Sequence, residues 1–113
     1  MSSWQVICDL DGFSDPGSRG FTIEFNSEVL EILVVRKASR VYAYRNHCPH
    51  TGINLEWQPD QFLDLSNNYI QCATHGALFR IEDGICLRGP CAGDALQSIP
   101  ARIDSGQVLI ELG

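Results

Sequence analysis

Residues 48–76 read CPHTGINLEWQPDQFLDLSNNYIQCATHG, and this stretch carries two short motifs that each join a cysteine to a histidine. The first motif is Cys48-Pro49-His50 and the second is Cys72-Ala73-Thr74-His75. A zinc finger usually groups its ligands as a cysteine pair and a histidine pair, whereas here the two residue types alternate. Two loops folded over one another can then place both sulfurs on one side and both imidazoles on the other. This arrangement suits a two-iron cluster in which each iron takes one type of ligand.

A structural zinc ion is the alternative, because zinc accepts the same donor atoms from Cys48, His50, Cys72 and His75. The placement of the four residues on two separate loops favours the iron–sulfur interpretation. Colour distinguishes the two, since a protein with an iron–sulfur cluster is brown-red and bleaches on reduction, whereas a zinc protein is colourless.

The two motifs resemble those of the Rieske iron–sulfur family, in which C-x-H-x-G and C-x-x-H-G lie on two loops that enclose a [2Fe–2S] cluster. Residues 48–52 and 72–76 match both patterns. Gly89-Pro90 falls where the family has a proline loop over the cluster, so the resemblance covers nearly the whole chain. The chain is most similar to small stand-alone Rieske ferredoxins and to the small-subunit-like proteins of nitrite reductases.

This resemblance implies one [2Fe–2S] cluster per chain, with Cys48 and Cys72 on the inner iron and His50 and His75 on the outer iron. Two thiolates neutralise a ferric ion in a buried position, whereas neutral imidazoles leave the other iron easier to reduce. The glycine that ends each motif lets the loop backbone approach the cluster closely.

The length of 113 residues and the mass of 12.5 kDa predict one domain, residues 1–113, with the cluster-binding part at about 46–92. Hydrophobic residues make up 44% and charged residues 19%, which is typical of a globular chain. Fourteen acids against eight bases give a net charge of −6. This balance argues against a nucleic-acid partner, because phosphate binding needs clustered Lys and Arg.

The chain also lacks the sequence signals of a secreted or membrane protein. Its longest aliphatic run, residues 32–35, is far too short to span a bilayer, and no basic and apolar signal opens the chain. Five cysteines are an odd number, which favours metal or redox chemistry over a disulfide scaffold. We therefore expect a cytoplasmic protein without a membrane partner.

Short alternating segments predict an antiparallel all-β fold. The resemblance makes this a β-sandwich of the Rieske type with a small cluster-binding subdomain. Turns are predicted at 14–17, 37–40, 82–84 and 104–106. The predicted strands are 4–10, 21–25, 29–37, 41–44, 69–71, 77–80, 85–87, 96–103 and 108–112, the last two forming a hairpin.

The resemblance predicts a one-electron carrier between a reductase and a terminal oxidoreductase such as an oxygenase, with transient docking to both. The sequence has no nucleotide-binding fingerprint and no paired general acid and base, so we expect an electron carrier rather than an enzyme. One alternative is a small or accessory subunit of a larger oxidoreductase. Another is a redox or iron sensor, for which 113 residues leave no room for an output element.

Several other residues near the motifs have simpler interpretations. His47 is predicted to be a hydrogen-bonded or exposed loop histidine rather than a fifth ligand. Cys8 is expected to be a buried thiol on a strand. Cys86 and Cys91, on either side of the proline loop, are expected as free thiols, with a disulfide as the alternative. The segment 56–62 is longer than the family pattern requires and is expected to alter the local surface.

Four residues distinguish this chain from the respiratory members of the family. Those members have a serine and a tyrosine, which donate hydrogen bonds to sulfur, where this chain has Ala77 and Phe79. They also have a disulfide that braces the loops, where this chain has Ile53 and Thr74. The resemblance therefore predicts a reduction potential at the low end of the Rieske range.

Overall fold

The structure is a computed structural model and describes residues 4–47, 55, 60–72, 76–89 and 92–112. No α-helix occurs in these residues, and a 3-10 turn at Leu10–Gly12 is their only helical element. No described helix is long and apolar enough to cross a membrane. The strands are β1 (Trp4–Asp9), β2 (Gly17–Phe25), β3 (Glu28–Lys37), β4 (Arg40–Arg45), β5 (Tyr69–Gln71), β6 (Leu78–Arg80), β7 (Cys86–Arg88), β8 (Ser98–Ile99), β9 (Ala101–Asp104) and β10 (Gln107–Glu111).

The strands form three antiparallel sheets, in the orders β1-β10-β9, β2-β3-β4-β8 and β5-β6-β7. The first two sheets enclose a common apolar layer, which we name the base core. The small third sheet encloses a second layer, the site-side core, together with the other face of β3 and β4. The prediction of an antiparallel sandwich with a small attached subdomain is confirmed.

The aliphatic run at residues 32–35 lies on β3 and is fully buried on both faces of the sheet. Ile32 and Val34 point into the base core, whereas Leu33 and Val35 point into the site-side core. Side chains alternate between the two faces of a strand, so four consecutive buried residues require an apolar layer on each side. β3 is therefore the strand that both cores share.

Two-residue turns connect three of the hairpins, and the residues of each turn have positive φ. The turn between β3 and β4 has φ of 54° at Ala38 and 63° at Ser39. Such turns match the twist of the flanking strands. The Asp15 carboxylate accepts hydrogen bonds from the N–H groups of Ala38 and Ser39, at 2.9 and 3.1 Å. The predicted turn at 37–40 is thereby confirmed and centred on Ala38-Ser39.

The prediction of one strand over 96–103 is wrong. Residues 98–99 form β8, which pairs with β4, and residues 101–104 form β9, which pairs with β10 in a different sheet. Pro100 lies between the two strands and cannot donate a backbone hydrogen bond, so it suits the point where the chain changes sheets. Of the predicted hairpin, the pairing of residues 101–104 with residues 107–110 is present, whereas residues 98–99 belong to the other sheet.

Two further boundaries differ from the prediction. β2 begins at Gly17, inside the predicted turn, because all nine of its residues pair with β3. Phe62 ends the segment 56–62, which was expected to be longer than the family pattern and to alter only the local surface. Its side chain is instead fully buried in the site-side core. The Ser18 hydroxyl accepts a bond from the N–H of Phe62 at 3.2 Å and donates to the carbonyl of Asp60 at 2.7 Å. The end of this segment is therefore fixed to β2, while residues 56–59 lie outside the described part.

Candidate metal centre

The second motif loop joins β5 to β6 and begins at Cys72, whose side chain is fully buried. The N–H of Cys72 donates to the carbonyl of Ala77, and the N–H of Gly76 donates to the carbonyl of Cys72, both at 2.9 Å. Gly76 has a φ of 65°, which glycine adopts without strain. These backbone bonds close the loop at its base and fix the position of Cys72.

The first motif loop leaves the end of β4 and returns at Leu55, which is fully buried. Between these points the loop is held by Asn46. Its N–H donates to the carbonyl of Glu31 at 2.9 Å, and its side-chain Oδ1 accepts from the N–H of Leu55 at 2.7 Å. The two ends of this loop are thus joined through a side chain.

The predicted proline loop connects β7 to β8 and approaches the second motif loop at Gly89. Gly89 has a φ of 110°, and a Cβ atom there would lie 2.9 Å from the Cα of Ala77. The backbones of the two loops therefore meet at a distance that only glycine permits. The N–H of Cys86 donates to the carbonyl of Asp94 at 2.8 Å and closes the loop at its base. Pro90 and Cys91 lie outside the described residues.

The bases of all three loops belong to one apolar cluster, since Leu55, Cys72, Ala77 and Cys86 are all members of the site-side core. This arrangement brings the described ends of the two motif loops into one cluster. A buried cysteine suits the inner iron of a cluster, because a thiolate without nearby water needs a metal to neutralise its charge. Gly76 and Gly89 leave backbone accessible beside it. The described residues fit a [2Fe–2S] group.

Of the four predicted ligands, the structure describes Cys72. Cys48, His50 and His75 lie outside the described residues, as do Gly52, Ile53 and Thr74. Within the described part, no group of three or more His, Cys, Asp or Glu side chains is arranged to hold a metal ion. The complete ligand set therefore stays a prediction.

His47 is exposed, as predicted, and borders a cavity of about 310 Å³ with Arg45, Ala95 and Gln97. Cys8 packs against the base core as an apolar thiol, as expected, but it is half-buried and not buried. Its partial burial raises the pKa of the Cys8 thiol.

Cys86 is buried, and its Sγ lies 3.3 Å from the carbonyl oxygen of Arg88. The alternative of a disulfide between Cys86 and Cys91 stays a prediction, since Cys91 lies outside the described residues.

Two buried residues, Asn46 and Tyr44, were not singled out from the sequence. Apart from the Tyr44 hydroxyl and the cysteine thiols, Asn46 has the only buried polar or charged side chain among the described residues. Tyr44 donates from its hydroxyl to the carbonyl of Ile81 at 2.5 Å and ties β4 to the small subdomain. Burial, with the nearby carboxylates of Asp83 and Glu82, raises the pKa of Tyr44 well above its usual value. No local pattern marks either residue, because both bond to partners that only the fold brings beside them.

The comparisons with known proteins agree with this geometry. A family model described as Rieske [2Fe–2S] domain matches residues 3–100. No curated protein matches the chain.

Among solved structures, the ferredoxin of carbazole 1,9a-dioxygenase from Nocardioides aromaticivorans IC177 is 21% identical, with a TM-score of 0.75 over 96% of this chain and 97% of that one. A ferredoxin chain in a complex of reduced oxygenase and oxidized ferredoxin in carbazole 1,9a-dioxygenase is 20% identical, with a TM-score of 0.74 over 95% of this chain and 91% of that one.

A putative NADH-dependent nitrite reductase small subunit from Mycobacterium tuberculosis is 19% identical, with a TM-score of 0.69 over 100% of this chain and 97% of that one. At these identities the solved structures establish the shared fold. The family model, which spans most of the sequence, establishes more: the chain belongs to the Rieske [2Fe–2S] domain family, and its cofactor is a [2Fe–2S] cluster.

Proposed function

We propose that Cys48, His50, Cys72 and His75 hold the cluster and that the chain carries single electrons between a reductase and a terminal oxidoreductase such as an oxygenase. The observation that carries this proposal is that the described ends of both motif loops, Leu55 and Cys72, belong to the site-side core, and that Cys72 is fully buried there. When bound, the cluster supplies one-electron redox chemistry. The chain itself excludes water from the side chain of Cys72, which is fully buried.

The partner class is inferred from the solved neighbours. One of them is a ferredoxin found in complex with an oxygenase, and its fold covers 95% of this chain. A carrier of this kind needs a docking surface and a cluster but no substrate pocket, which agrees with the lack of a nucleotide fingerprint in the sequence. We propose on this basis that the chain is a carrier and not itself an enzyme.

The ligand set is tested by replacing each histidine. We expect His50→Ala and His75→Ala each to abolish the electron paramagnetic resonance signal of a nitrogen-ligated cluster in the reduced protein, because each removes a nitrogen ligand. His47→Ala is the matched control, since its side chain is adjacent in sequence but exposed. A signal that survives in His75→Ala, or disappears in His47→Ala, would overturn the assignment.

The carrier role is tested by following electron flow. The cluster-loaded protein should accept electrons from an NADH-dependent reductase and pass them to an oxygenase of the type found with the neighbouring ferredoxin. Reduction without re-oxidation by any such enzyme would contradict the proposal.

A subunit of a larger oxidoreductase is the second candidate, and the nitrite reductase small subunit among the solved neighbours favours it. The two candidates differ in the lifetime of the complex. A subunit co-purifies with its partner from native extract in a fixed ratio, whereas a carrier is recovered alone.

We also propose that residues 1–113 form one domain, because β3 contributes to both cores and cannot be divided between two units. A cytoplasmic location is proposed as well. It is supported by the odd number of cysteines in the chain, which argues against the disulfide scaffold of a small secreted domain.

A further inference from the structure

Asn46 is the one buried amide side chain of the described chain, with 6% of its surface exposed. It follows the last residue of β4 and precedes Cys48 by two positions. Burying an amide is unfavourable unless its polar atoms form hydrogen bonds. The hydrogen-bond partners of Asn46 therefore determine why an amide can be buried at this point.

The two described bonds of Asn46 connect three segments. Its N–H donates to the carbonyl of Glu31 on β3, which fixes Asn46 to the central sheet. Its Oδ1 accepts from the N–H of Leu55 at 2.7 Å, and this bond is buried. The side chain thus joins the start of the first motif loop to its end, across residues 47–54.

The second motif loop achieves the same closure without a side chain. There the N–H of Cys72 reaches the carbonyl of Ala77 directly, because only residues 73–76 intervene. The first loop is longer, and the free energy cost of bringing the ends of a loop together rises with its length. A side chain that spans the gap supplies the missing hydrogen bond.

We propose that Asn46 is a positioning residue for the cluster: its amide oxygen sets the separation of the two ends of the first motif loop and so holds Cys48 and His50 at the distance the cluster requires. This inference rests on the proposed ligand set. Asn46 does not touch the cluster in this account and acts through the loop.

The experiment compares three variants of the full chain after reconstitution with iron and sulfide. Asn46→Leu has nearly the same volume but no acceptor for the N–H of Leu55. Asn46→Asp keeps an accepting oxygen at the same place. Tyr44→Phe is the matched control, because it removes a different buried hydrogen bond of the site-side core, to Ile81, outside the motif loops.

We expect Asn46→Leu and Tyr44→Phe to lower the free energy of unfolding of the protein to a similar extent, because each leaves a buried group without a partner. Only Asn46→Leu should release its cluster to a chelator faster, by about tenfold, which corresponds to about 1.4 kcal/mol. It should also change the nitrogen hyperfine couplings of one histidine in the reduced cluster. Asn46→Asp should lie closer to the wild type in both measurements.

Equal rates of cluster release in Asn46→Leu and Tyr44→Phe would show that Asn46 serves stability alone and would overturn the inference. If Asn46→Leu does not fold, Asn46→Ser takes its place, because serine is too short to reach Leu55. Unchanged nitrogen hyperfine couplings in that variant would likewise overturn the inference. A wild-type protein that reconstitutes without any nitrogen-ligated signal would instead overturn the ligand assignment and this inference with it.

Discussion

Ala77 and Phe79 follow the second motif at positions where the respiratory members of the family have hydrogen-bond donors. Both side chains are buried, and neither has a polar atom to offer to sulfur. The added negative charge of the reduced cluster is then less stabilised. We expect a midpoint potential in the lowest third of the range for such centres, which is roughly −150 to +300 mV.

Voltammetry of the loaded protein measures this potential, and a midpoint above about +150 mV would contradict the prediction. Ala77→Ser should raise the potential, because the added hydroxyl can donate towards the cluster. Ala43→Ser is the control, since Ala43 is equally buried but belongs to the base core. An equal shift in the two variants would mean that the hydroxyl acts without contact with the cluster.

Tyr44 offers a prediction about stability at the same scale. Removing its hydroxyl in Tyr44→Phe leaves the buried carbonyl of Ile81 without that donor, and we expect a loss of about 1–3 kcal/mol in the free energy of unfolding at pH 7. Denaturant titration measures it. A loss below about 0.5 kcal/mol would show that water replaces the hydroxyl.

The raised pKa of Tyr44 adds a pH dependence. The folded protein keeps the phenol protonated at a pH where the unfolded chain, with a pKa of about 10, has begun to lose its proton. The stabilisation is therefore complete below about pH 10 and is lost as the pH rises towards the folded pKa. Between about pH 10 and the folded pKa, the free energy of unfolding of the wild type should fall with pH more steeply than that of Tyr44→Phe.

At the scale of elements, the strands with regular alternation were predictable and their sheet membership was not. The alternating segments at β2 and β4 were found from their side chains, because one half-buried face leaves a period of two. The run on β3 indicated a strand through its branched side chains. Nothing local showed that Pro100 separates two sheets, since β8 and β9 are distinguished only by their distant partners.

The site shows the same division. Its cysteine and histidine motifs could be found because ligand chemistry restricts residue type and spacing. Asn46 could not be identified from the sequence, because its importance depends on Leu55 and Glu31 lying beside it in the fold. Phe62 was misplaced for a similar reason, since its burial follows from the attachment of Asp60 to β2.

The turn between β3 and β4 carries a prediction at this scale. Ser39 has a φ of 63°, a conformation that costs a non-glycine residue about 1 kcal/mol. Ser39→Gly should remove that cost and raise the free energy of unfolding by roughly this amount, while the two bonds from Asp15 remain. Thermal unfolding measures the change, and Arg40→Gly, within β4, is the control that should destabilise instead. A less stable Ser39→Gly would contradict the argument.

At the scale of the whole molecule, the two cores share β3, so the site is built on a sheet that is itself packed on both faces. The three loops are attached to this support through Asn46, Cys72 and Cys86, each held by bonds at the base of its loop. We expect such a support to limit the movement of the proposed ligands between the two redox states. Little rearrangement on electron transfer is what a carrier needs.

The net charge of −6 leads to a prediction about how the molecule meets its partner. If the acidity steers docking to a basic surface, the bimolecular rate of electron transfer should fall as salt rises from low to physiological strength, where exposed charges are screened over about 8–10 Å. Stopped-flow measurement of reduction by the reductase, or of oxidation by the oxygenase, at several ionic strengths gives the slope. Rates independent of salt would limit the acidity to a role in solubility.

A comparison of two exposed acids, Asp94 and Asp104, shows which surface of the molecule steers the docking of the partner. Asp94 is exposed beside the proline loop, where its carbonyl accepts the bond from Cys86, whereas Asp104 is exposed at the end of β9, next to the turn between β9 and β10. Asp94→Asn and Asp104→Asn change the net charge by the same amount. We expect the partner to dock at the end of the molecule that bears the motif loops. The bimolecular rate of electron transfer and its salt dependence should then fall in Asp94→Asn, and both should stay nearly unchanged in Asp104→Asn. Equal effects would mean that the partner responds to the total charge and not to a surface around the site.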